Sequence, residues 1–159
     1  MVISNTTVIL YFVKVGRPDL LKNCFTRIII TPEVYEELLA GEEQFQREIL
    51  LLQDLVAEGY IHIQKSKKGR DFGLDQGENS ALSLGSELQE KLFLSDDKGA
   101  RKVARILGIP ALGTIGVLLL NLKKGKLRKE EVLSLLEELI RKGYYLSTEL
   151  YGELVRKLQ

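Results

Sequence analysis

The sequence predicts an α/β protein, a three-layer α/β/α sandwich around a central, mostly parallel sheet of about five short strands. Three observations lead to this fold class. Short runs rich in Ile, Val, Leu and Phe alternate with longer segments whose apolar residues recur at helical spacing. The run Ile28 to Ile30 is continuously β-branched, as expected for a strand covered on both faces. The chain has 159 residues, 45% of them hydrophobic, which suits one compact core.

The first part of the chain predicts three strands interspersed with helices that have recognisable starts. Asn5 or Thr6 is the expected cap of the first helix, whose apolar side chains indicate burial. Thr31 caps a later helix, and Pro32 occupies its first position, where proline is favoured. The predicted strands are 2–4, 27–30 and 60–63, and the predicted helices are 6–13, 18–23, 32–40 and 42–58.

A polar, basic segment with two glycines, residues 65–73, predicts a mobile surface loop. Helices and strands then alternate again. We expect residues 1–159 to form a single domain with C-terminal helices of about 127–159 packed on it, because those helices are too few to fold alone. The same amphipathic helices also suit self-association. The predicted strands are 91–95 and 110–112, and the predicted helices are 75–89, 98–107, 114–124, 129–142 and 147–158.

Composition excludes several classes of protein. The formal net charge is +1, so global charge favours neither nucleic acid nor any other partner. The longest uncharged stretch, Ile106 to Leu122, is broken by glycine and proline, so no membrane span is predicted. We expect a cytoplasmic protein, because no secretory signal is visible and a lone cysteine allows no internal disulfide. Cys24 lies in an apolar stretch and His62 in a strand, which argues against a thiol nucleophile with a histidine base.

The most informative polar residues are Asn5, Glu37, Glu78 and Asp96, which follow predicted strands or lie on helices beside them. Ligands of open α/β sheets bind beyond the carboxyl ends of the strands. Carboxylates gathered there would repel one another unless a hard cation such as Mg²⁺ lay among them. Each residue taken alone is better explained as a helix cap, a dipole partner or part of a solvated face. Their joint arrangement is what indicates a site.

Four segments resemble the PIN domain family, and more closely its branch of predicted PIN-like nucleic-acid-binding proteins of archaea and bacteria. They read ISNTT at 3–7, PEVYEEL at 32–38, DQGE at 75–78 and LSDDKGAR at 94–101, and the turn GTIG at 113–116 fits the same branch. The resemblance implies a parallel sheet flanked by helices, a nuclease site that uses Mg²⁺ or Mn²⁺, and RNA as substrate. It also implies dimers, and many members are VapC toxins of VapBC-type pairs, inhibited by a small antitoxin protein.

Carried over residue by residue, the family's acidic positions fall on Asn5, Glu37, Glu78 and Asp96 as catalytic residues. The resemblance makes Asn5, Glu78 and Asp96 the metal ligands, with Asp97 and the hydroxyls of Thr6 and Thr114 as auxiliary groups. Asn5 departs from the family, which usually has aspartate there, and an amide is a poorer partner for Mg²⁺ than a carboxylate.

Two hypotheses follow from this departure. The first is a metal-dependent endoribonuclease that hydrolyses RNA phosphodiester bonds, like a VapC toxin. The second is a catalytically impaired PIN-like protein that binds nucleic acid or regulates without cutting. A nucleotide-binding domain is disfavoured, because no G-x-x-x-x-G-K-[ST] loop exists and no G-x-G-x-x-G follows the first strand. His62 is the only histidine, which disfavours a metal-free, histidine-based nuclease.

Basic residues near these acidic positions are candidates for nucleic-acid binding. Lys98, Arg101, Lys102 and Arg105 share one side of a predicted helix, and Lys68 and Arg70 lie in the polar loop. Such clusters are also typical of a solvated surface, but beside a site they would hold phosphates and make binding salt-dependent. Few aromatic residues lie near them in the sequence, so no base-stacking platform is predicted.

Overall fold

The computed structural model describes residues 1–40, 46–90 and 92–159. Its centre is a sheet of five short parallel strands in the order β3-β2-β1-β4-β5. This arrangement confirms the predicted α/β fold class, and the sheet is parallel throughout rather than mostly so. The strands are β1 (Val2–Ser4), β2 (Ile28–Ile30), β3 (Ile61–Ile63), β4 (Phe93–Leu94) and β5 (Ala111–Leu112).

The helices agree with the predicted elements to within a few residues where both are described. The predicted start of the fourth helix at Glu42 and the strand residue Lys91 lie outside the described residues. No helix in residues 1–40, 46–90 and 92–159 has the length and apolar character needed to cross a bilayer. The helices are α1 (Thr6–Lys14), α2 (Asp19–Lys22), α3 (Pro32–Leu39), α4 (Gln46–Ala57), α5 (Gln76–Leu88), α6 (Lys98–Ile106), α7 (Thr114–Lys123), α8 (Lys129–Arg141) and α9 (Thr148–Leu158).

The strand order reverses between β1 and β4. The chain runs outward from β1 through β2 to β3, and then returns to add β4 on the other side of β1. Ser4 pairs with Leu94, so the residues that follow them, Asn5 and Ser95, emerge side by side. Because ligands of open α/β sheets bind where the strand order reverses, this edge is where a site is expected.

The core includes both the sheet and the C-terminal helices. Ile28, Ile29 and Ile30 are all fully buried, so helices cover both faces of the sheet. Helix α8 packs on α7 and α9 packs on α8. The buried side chains of α8, which include Leu136 and Leu139, belong to the same apolar cluster as the strands. The C-terminal helices therefore share the core of the elements before them.

The basic loop at 65–73 is fastened along α5, whereas the sequence predicts a mobile loop. The exposed Glu87 carboxylate accepts hydrogen bonds from the Ser66 hydroxyl (2.7 Å) and from the backbone N–H groups of Lys67 (2.9 Å) and Lys68 (2.7 Å). These backbone and hydroxyl donors lower the pKa of Glu87 to about 2. A further bond of 2.9 Å joins the Arg70 N–H to a serine hydroxyl of α5. The loop is exposed as predicted, but its backbone is held in one place.

Candidate functional site

Asn5 ties the end of β1 to the end of β4. It caps α1, its Oδ1 accepting from the backbone N–H of Thr7 at 3.3 Å and from the Thr7 hydroxyl at 3.2 Å. Its Nδ2 donates to the Ser95 hydroxyl at 2.7 Å. Since a backbone N–H can only donate, the amide is oriented with its oxygen toward Thr7 and its nitrogen toward Ser95. At 4% exposure, Asn5 acts as an interior brace between two strands.

Asp96 follows Ser95 beyond β4, and hydrogen bonds fix its carboxylate. Its Oδ1 accepts from the backbone N–H of Thr114 at 2.8 Å and from the Tyr144 hydroxyl at 3.0 Å. Its Oδ2 accepts from the Thr114 hydroxyl at 2.6 Å. Thr114 is the first residue of α7, and a helix N-terminus stabilises a negative charge. The carboxylate is therefore held in one orientation by three hydrogen bonds.

Gly113 allows Asp96 to take this position. A Cβ atom at residue 113 would lie 2.7 Å from Asp96 Oδ1 and 3.4 Å from the Ser95 carbonyl oxygen. The same point lies 3.6 Å from Arg101 Nη1, so the guanidinium of this α6 residue is on the same side as the carboxylate. The absence of a side chain at Gly113 is thus a condition for this part of the site.

Glu37, on α3, contacts the starts of two other helices. Its Oε2 accepts from the Thr6 hydroxyl of α1 at 2.5 Å. Its carboxylate also lies against Gly77 in the first turn of α5, so closely that a Cβ at residue 77 would overlap Oε1. Glycine at 77 therefore lets a carboxylate from α3 reach the start of α5, next to Glu78.

Glu78 is the most buried carboxyl group of the set, at 9% exposure. It forms a capping box with Asp75: its backbone N–H donates to Asp75 Oδ1 at 2.8 Å, and its Oε2 accepts from the Asp75 N–H at 3.4 Å. Burial, together with the negative charges of Asp75, Asp97 and Glu37, raises the pKa of Glu78 to about 7. These carboxylates are therefore close enough to repel one another.

The auxiliary residues predicted from the sequence also contact this edge. Asp97 caps α6, its Oδ1 accepting from the Ala100 N–H at 2.7 Å, so it has a structural use. The Thr6 and Thr114 hydroxyls each donate to one of the carboxylates, Thr6 to Glu37 and Thr114 to Asp96. Both threonines thus hold a carboxylate in place rather than standing free.

The four predicted catalytic positions are linked only loosely around the end of β1, through contacts that involve their neighbours in the chain. Among residues 1–40, 46–90 and 92–159, no three His, Cys, Asp or Glu side chains are gathered tightly enough to hold a metal ion as they stand. The available donors are all oxygens, which suits a hard cation such as Mg²⁺ that binds one or two carboxylates and keeps several waters. The linking contacts are Asn5 to Ser95, Thr6 to Glu37, and Glu37 to Gly77.

Tyr144 and Tyr11 belong to this site, although sequence reasoning missed both. Tyr144 lies between α8 and α9, 48 residues after the Asp96 that its hydroxyl contacts, so no local pattern indicates it. Its ring meets that of Tyr11 edge to face, with centroids 5.0 Å apart and planes at 87°. Burial and the Asp96 charge raise the pKa of Tyr144. Its hydroxyl therefore remains a proton donor to Asp96 at neutral pH.

The predicted nucleic-acid-binding residues differ in their relation to the site. Arg101 is half-buried beside Asp96, and its charge acts on Tyr144 by opposing the rise of the tyrosine pKa. The other predicted residues are exposed on α6 or on the loop fastened to α5. They are Lys98, Lys102 and Arg105 on the helix, and Lys68 and Arg70 on the loop.

Comparison with known proteins assigns the chain to a family. A family model described as a PIN domain matches residues 1–159. Among solved structures, the chain is similar to a PilT N-terminus domain protein from the hyperthermophilic archaeon Sulfolobus solfataricus P2, with a TM-score of 0.55, 19% identity, and coverage of 77% of this chain and 94% of that one. At this identity the likeness supports the fold alone, and no curated protein matches. The chain belongs to the PIN domain family.

Proposed function

We propose that the protein is a metal-dependent endoribonuclease, similar to VapC toxins, that hydrolyses RNA phosphodiester bonds. PIN domains are generally nucleases, so the family supports the reaction class. The observation that carries the proposal is the placement of Glu37 and Asp75 beside the buried Glu78, where burial and the neighbouring negative charges raise the pKa of Glu78 to about 7. A divalent cation would relieve this repulsion.

We assign direct cation binding to Asp96 and Glu78, and a bracing role to Asn5. The Asn5 oxygen would have to release Thr7 to act as a ligand, because it already accepts two bonds from that residue. A bound Mg²⁺ or Mn²⁺ would shield the phosphate charge and lower the pKa of the attacking water. The donors on Asp96 hold that carboxylate in one orientation, and Glu37 stands beside Glu78 as a further acceptor of hydrogen bonds from water.

Phosphate binding falls to the basic residues in this proposal. Arg101 lies beside Asp96, where it would contact a phosphate of the bound strand, and its planar guanidinium suits two parallel hydrogen bonds. The exposed lysines and arginines of α6 and of the loop at 65–73 would extend this contact along the RNA backbone.

A second function is a nucleic-acid-binding or regulatory PIN protein that does not cut. One observation favours it. The Asn5 Nδ2 donates to the Ser95 hydroxyl, a bond that an aspartate in its ionised form cannot make. Asn5 therefore connects β1 to the residue after β4. The family's usual aspartate would add a negative charge at this position.

Partners and location follow from the same proposal. We propose a cytoplasmic protein, because its single cysteine allows no internal disulfide. An antitoxin-like protein or a second copy of the chain would find apolar surface on the C-terminal helices. Ile140 and Leu150 are exposed there, at 42% each.

The experiment is cleavage of labelled, mixed-sequence single-stranded RNA with Mg²⁺ and with Mn²⁺. The wild-type protein is compared with Asn5→Asp and Asp96→Asn. Metal-dependent cutting by the wild type that disappears in Asp96→Asn supports the nuclease. Cutting only by Asn5→Asp supports the non-cutting alternative. Inert protein in all three cases, together with no RNA binding, overturns both functions.

A further inference from the structure

The connection between α8 and α9 reaches the candidate site through one side chain. Tyr144 places its hydroxyl 3.0 Å from Asp96 Oδ1, and the residue is partly buried against the core. The next residue, Tyr145, is 87% exposed, so the two adjacent tyrosines lie in opposite environments. Of these two tyrosines, Tyr144 is the one that contacts the carboxylate.

Tyr11 of α1 fastens the same connection. Its hydroxyl donates to the Gly143 carbonyl oxygen at 3.3 Å, and its ring packs edge to face against Tyr144. Edge-to-face aromatic pairs stabilise a contact beyond the area they bury. The position of the Tyr144 hydroxyl is therefore defined by the first and last parts of the fold together.

The hydrogen bonds to Asp96 from the described residues leave one lone pair of Oδ2 for a further ligand. Oδ1 accepts two bonds, from the Thr114 N–H and from the Tyr144 hydroxyl, which uses both of its lone pairs. Oδ2 accepts one bond, from the Thr114 hydroxyl, within the described part of the chain. A cation would therefore meet Asp96 at Oδ2, and rotation of the carboxylate would break the bond to Tyr144.

We propose that Tyr144 is a positioning residue that holds the Asp96 carboxylate with Oδ2 directed to a divalent cation. This inference rests on the proposed metal-dependent function. It makes the α8–α9 connection a working part of the site, in addition to its place in the core. Groups that orient a metal ligand from behind are typically worth 10–100-fold in metal affinity.

The first test needs no metal. Urea unfolding with EDTA present is measured for wild type, Tyr144→Phe, Asp96→Ala and the double variant. Phenylalanine keeps the ring contact with Tyr11, so Tyr144→Phe removes only the hydroxyl. We expect the effects of the two changes on the unfolding constant to be non-additive by about tenfold, as for a hydrogen bond to a charged group.

The second test measures Mn²⁺ affinity from the electron paramagnetic resonance signal of the free ion. We expect Tyr144→Phe to raise the Mn²⁺ dissociation constant about tenfold. The matched control is Tyr145→Phe, which removes the same hydroxyl from the exposed neighbour and is expected to leave the constant unchanged.

The outcomes separate this inference from the proposed function. If the wild type binds Mn²⁺ and Asp96→Asn does not, but Tyr144→Phe binds as the wild type does, Tyr144 has no positioning role. Additive effects in the unfolding experiment overturn the inference as well. If the wild type binds no Mn²⁺, the proposed metal-dependent function fails, and the positioning of a cation fails with it. If the wild type binds no Mn²⁺ but the two changes are still non-additive in the unfolding experiment, the hydrogen bond from Tyr144 to Asp96 only stabilises the fold.

Discussion

The two halves of the candidate site treat a carboxyl group in opposite ways. In the Asp96 half, formed by Asp96, Thr114 and Tyr144, three hydrogen bonds of 2.6–3.0 Å converge on one carboxylate. In the Glu78 half, formed by Glu78, Glu37 and Asp75, the Glu78 carboxylate accepts a long bond of 3.4 Å, and its neighbours are themselves acidic.

The difference shows two ways in which the protein offsets the cost of placing several carboxyl groups at one edge of the sheet. The Asp96 half supplies donors that replace the lost solvent, so its carboxylate is ready for a positive ligand. In the Glu78 half, the Glu78 carboxylate accepts only the long bond from the Asp75 N–H among the described residues, and a proton compensates instead, because the pKa of Glu78 is raised to about 7. We expect the Asp96 half to fix the position of a bound cation. We expect the Glu78 half to lose its proton when the cation binds.

The largest effect is expected from removal of charge in the Asp96 half. Asp96→Asn removes a negative charge and places an NH₂ group at the Oδ2 position, where the cation is proposed to bind. We expect RNA cleavage to fall on the order of 10²–10³-fold, the size seen when one electrostatic group of an active site is lost. The rate of RNA cleavage with Mn²⁺ measures this.

The control for that variant is Asp97→Asn. Asparagine caps a helix as well as aspartate does, so the bond to the Ala100 N–H is kept. We expect a change of only a few-fold in the cleavage rate. Equal losses of cleavage rate in the two variants would contradict the specific role proposed for Asp96 in binding the cation.

Two glycine variants compare the rigidity of the halves. In Gly113→Ala the new methyl group meets an Asp96 oxygen that is tied down, so we expect a loss of about 1–3 kcal/mol in the free energy of unfolding. In Gly77→Ala it meets the end of the Glu37 side chain, which can swing away and give up Thr6. There we expect almost no loss of stability, but weaker Mn²⁺ binding and slower cleavage.

Urea unfolding of both variants checks this contrast. Gly152→Ala in α9 is the control, because a Cβ atom there has open space around it. Alanine in place of a helical glycine should stabilise the protein by about 0.5–1 kcal/mol. A larger loss for Gly77→Ala than for Gly113→Ala would reverse the contrast between the halves.

The pH dependence of stability tests the Glu78 half. The pKa of Glu78 rises from 4.5 to about 7 on folding, so the folded state binds the proton more tightly than the unfolded state. This stabilisation is fully present below pH 4.5 and is lost as the pH rises to about 7. In Glu78→Gln, we expect the decline in the free energy of unfolding over this interval to flatten.

Metal gives the second arm of the pH experiment. Mn²⁺ should restore stability above pH 7 in the wild type, because the cation takes the place of the proton. The restoration should be absent in Glu78→Gln. If the free energy of unfolding depends on pH in the same way in wild type and variant without metal, the pKa of Glu78 is not raised by folding.

The smallest effect concerns phosphate contact. Arg101 lies beside Asp96, whereas Lys102 of the same helix is exposed. We expect Arg101→Gln to weaken RNA binding and to reduce the slope of log K against log salt by about 0.7, the value for one phosphate contact on a single strand. Fluorescence anisotropy at several salt concentrations measures this slope, and Lys102→Gln should change it less.

The sequence predicts the frame of this molecule well. The alternation of apolar runs and amphipathic segments is a local property, so the strand at Val2–Ser4 and the helix starting at Thr114 are found where they are predicted. The edge that carries the acids follows from the rule that ligands bind beyond the carboxyl ends of parallel strands.

The parts that sequence reasoning missed depend on distant side chains. Tyr144 contacts Asp96 across 48 residues of chain, and nothing near Tyr144 in the sequence indicates this contact. The fastening of the basic loop by Glu87 likewise joins segments about 20 residues apart. The sequence also leaves the role of Asn5 undecided between metal ligand and structural residue, because it does not reveal that the side-chain oxygen of Asn5 faces Thr7.

The fastened loop changes what RNA would have to do in order to bind it. A free chain segment loses about 1–2 kcal/mol of conformational entropy for each residue that a ligand orders. The backbone at Lys67, Lys68 and Arg70 is already fixed by folding, so binding would restrict only the ends of these side chains. An RNA backbone would therefore meet a surface whose charges stand at set spacings, and the shape of the strand would count as much as its charge.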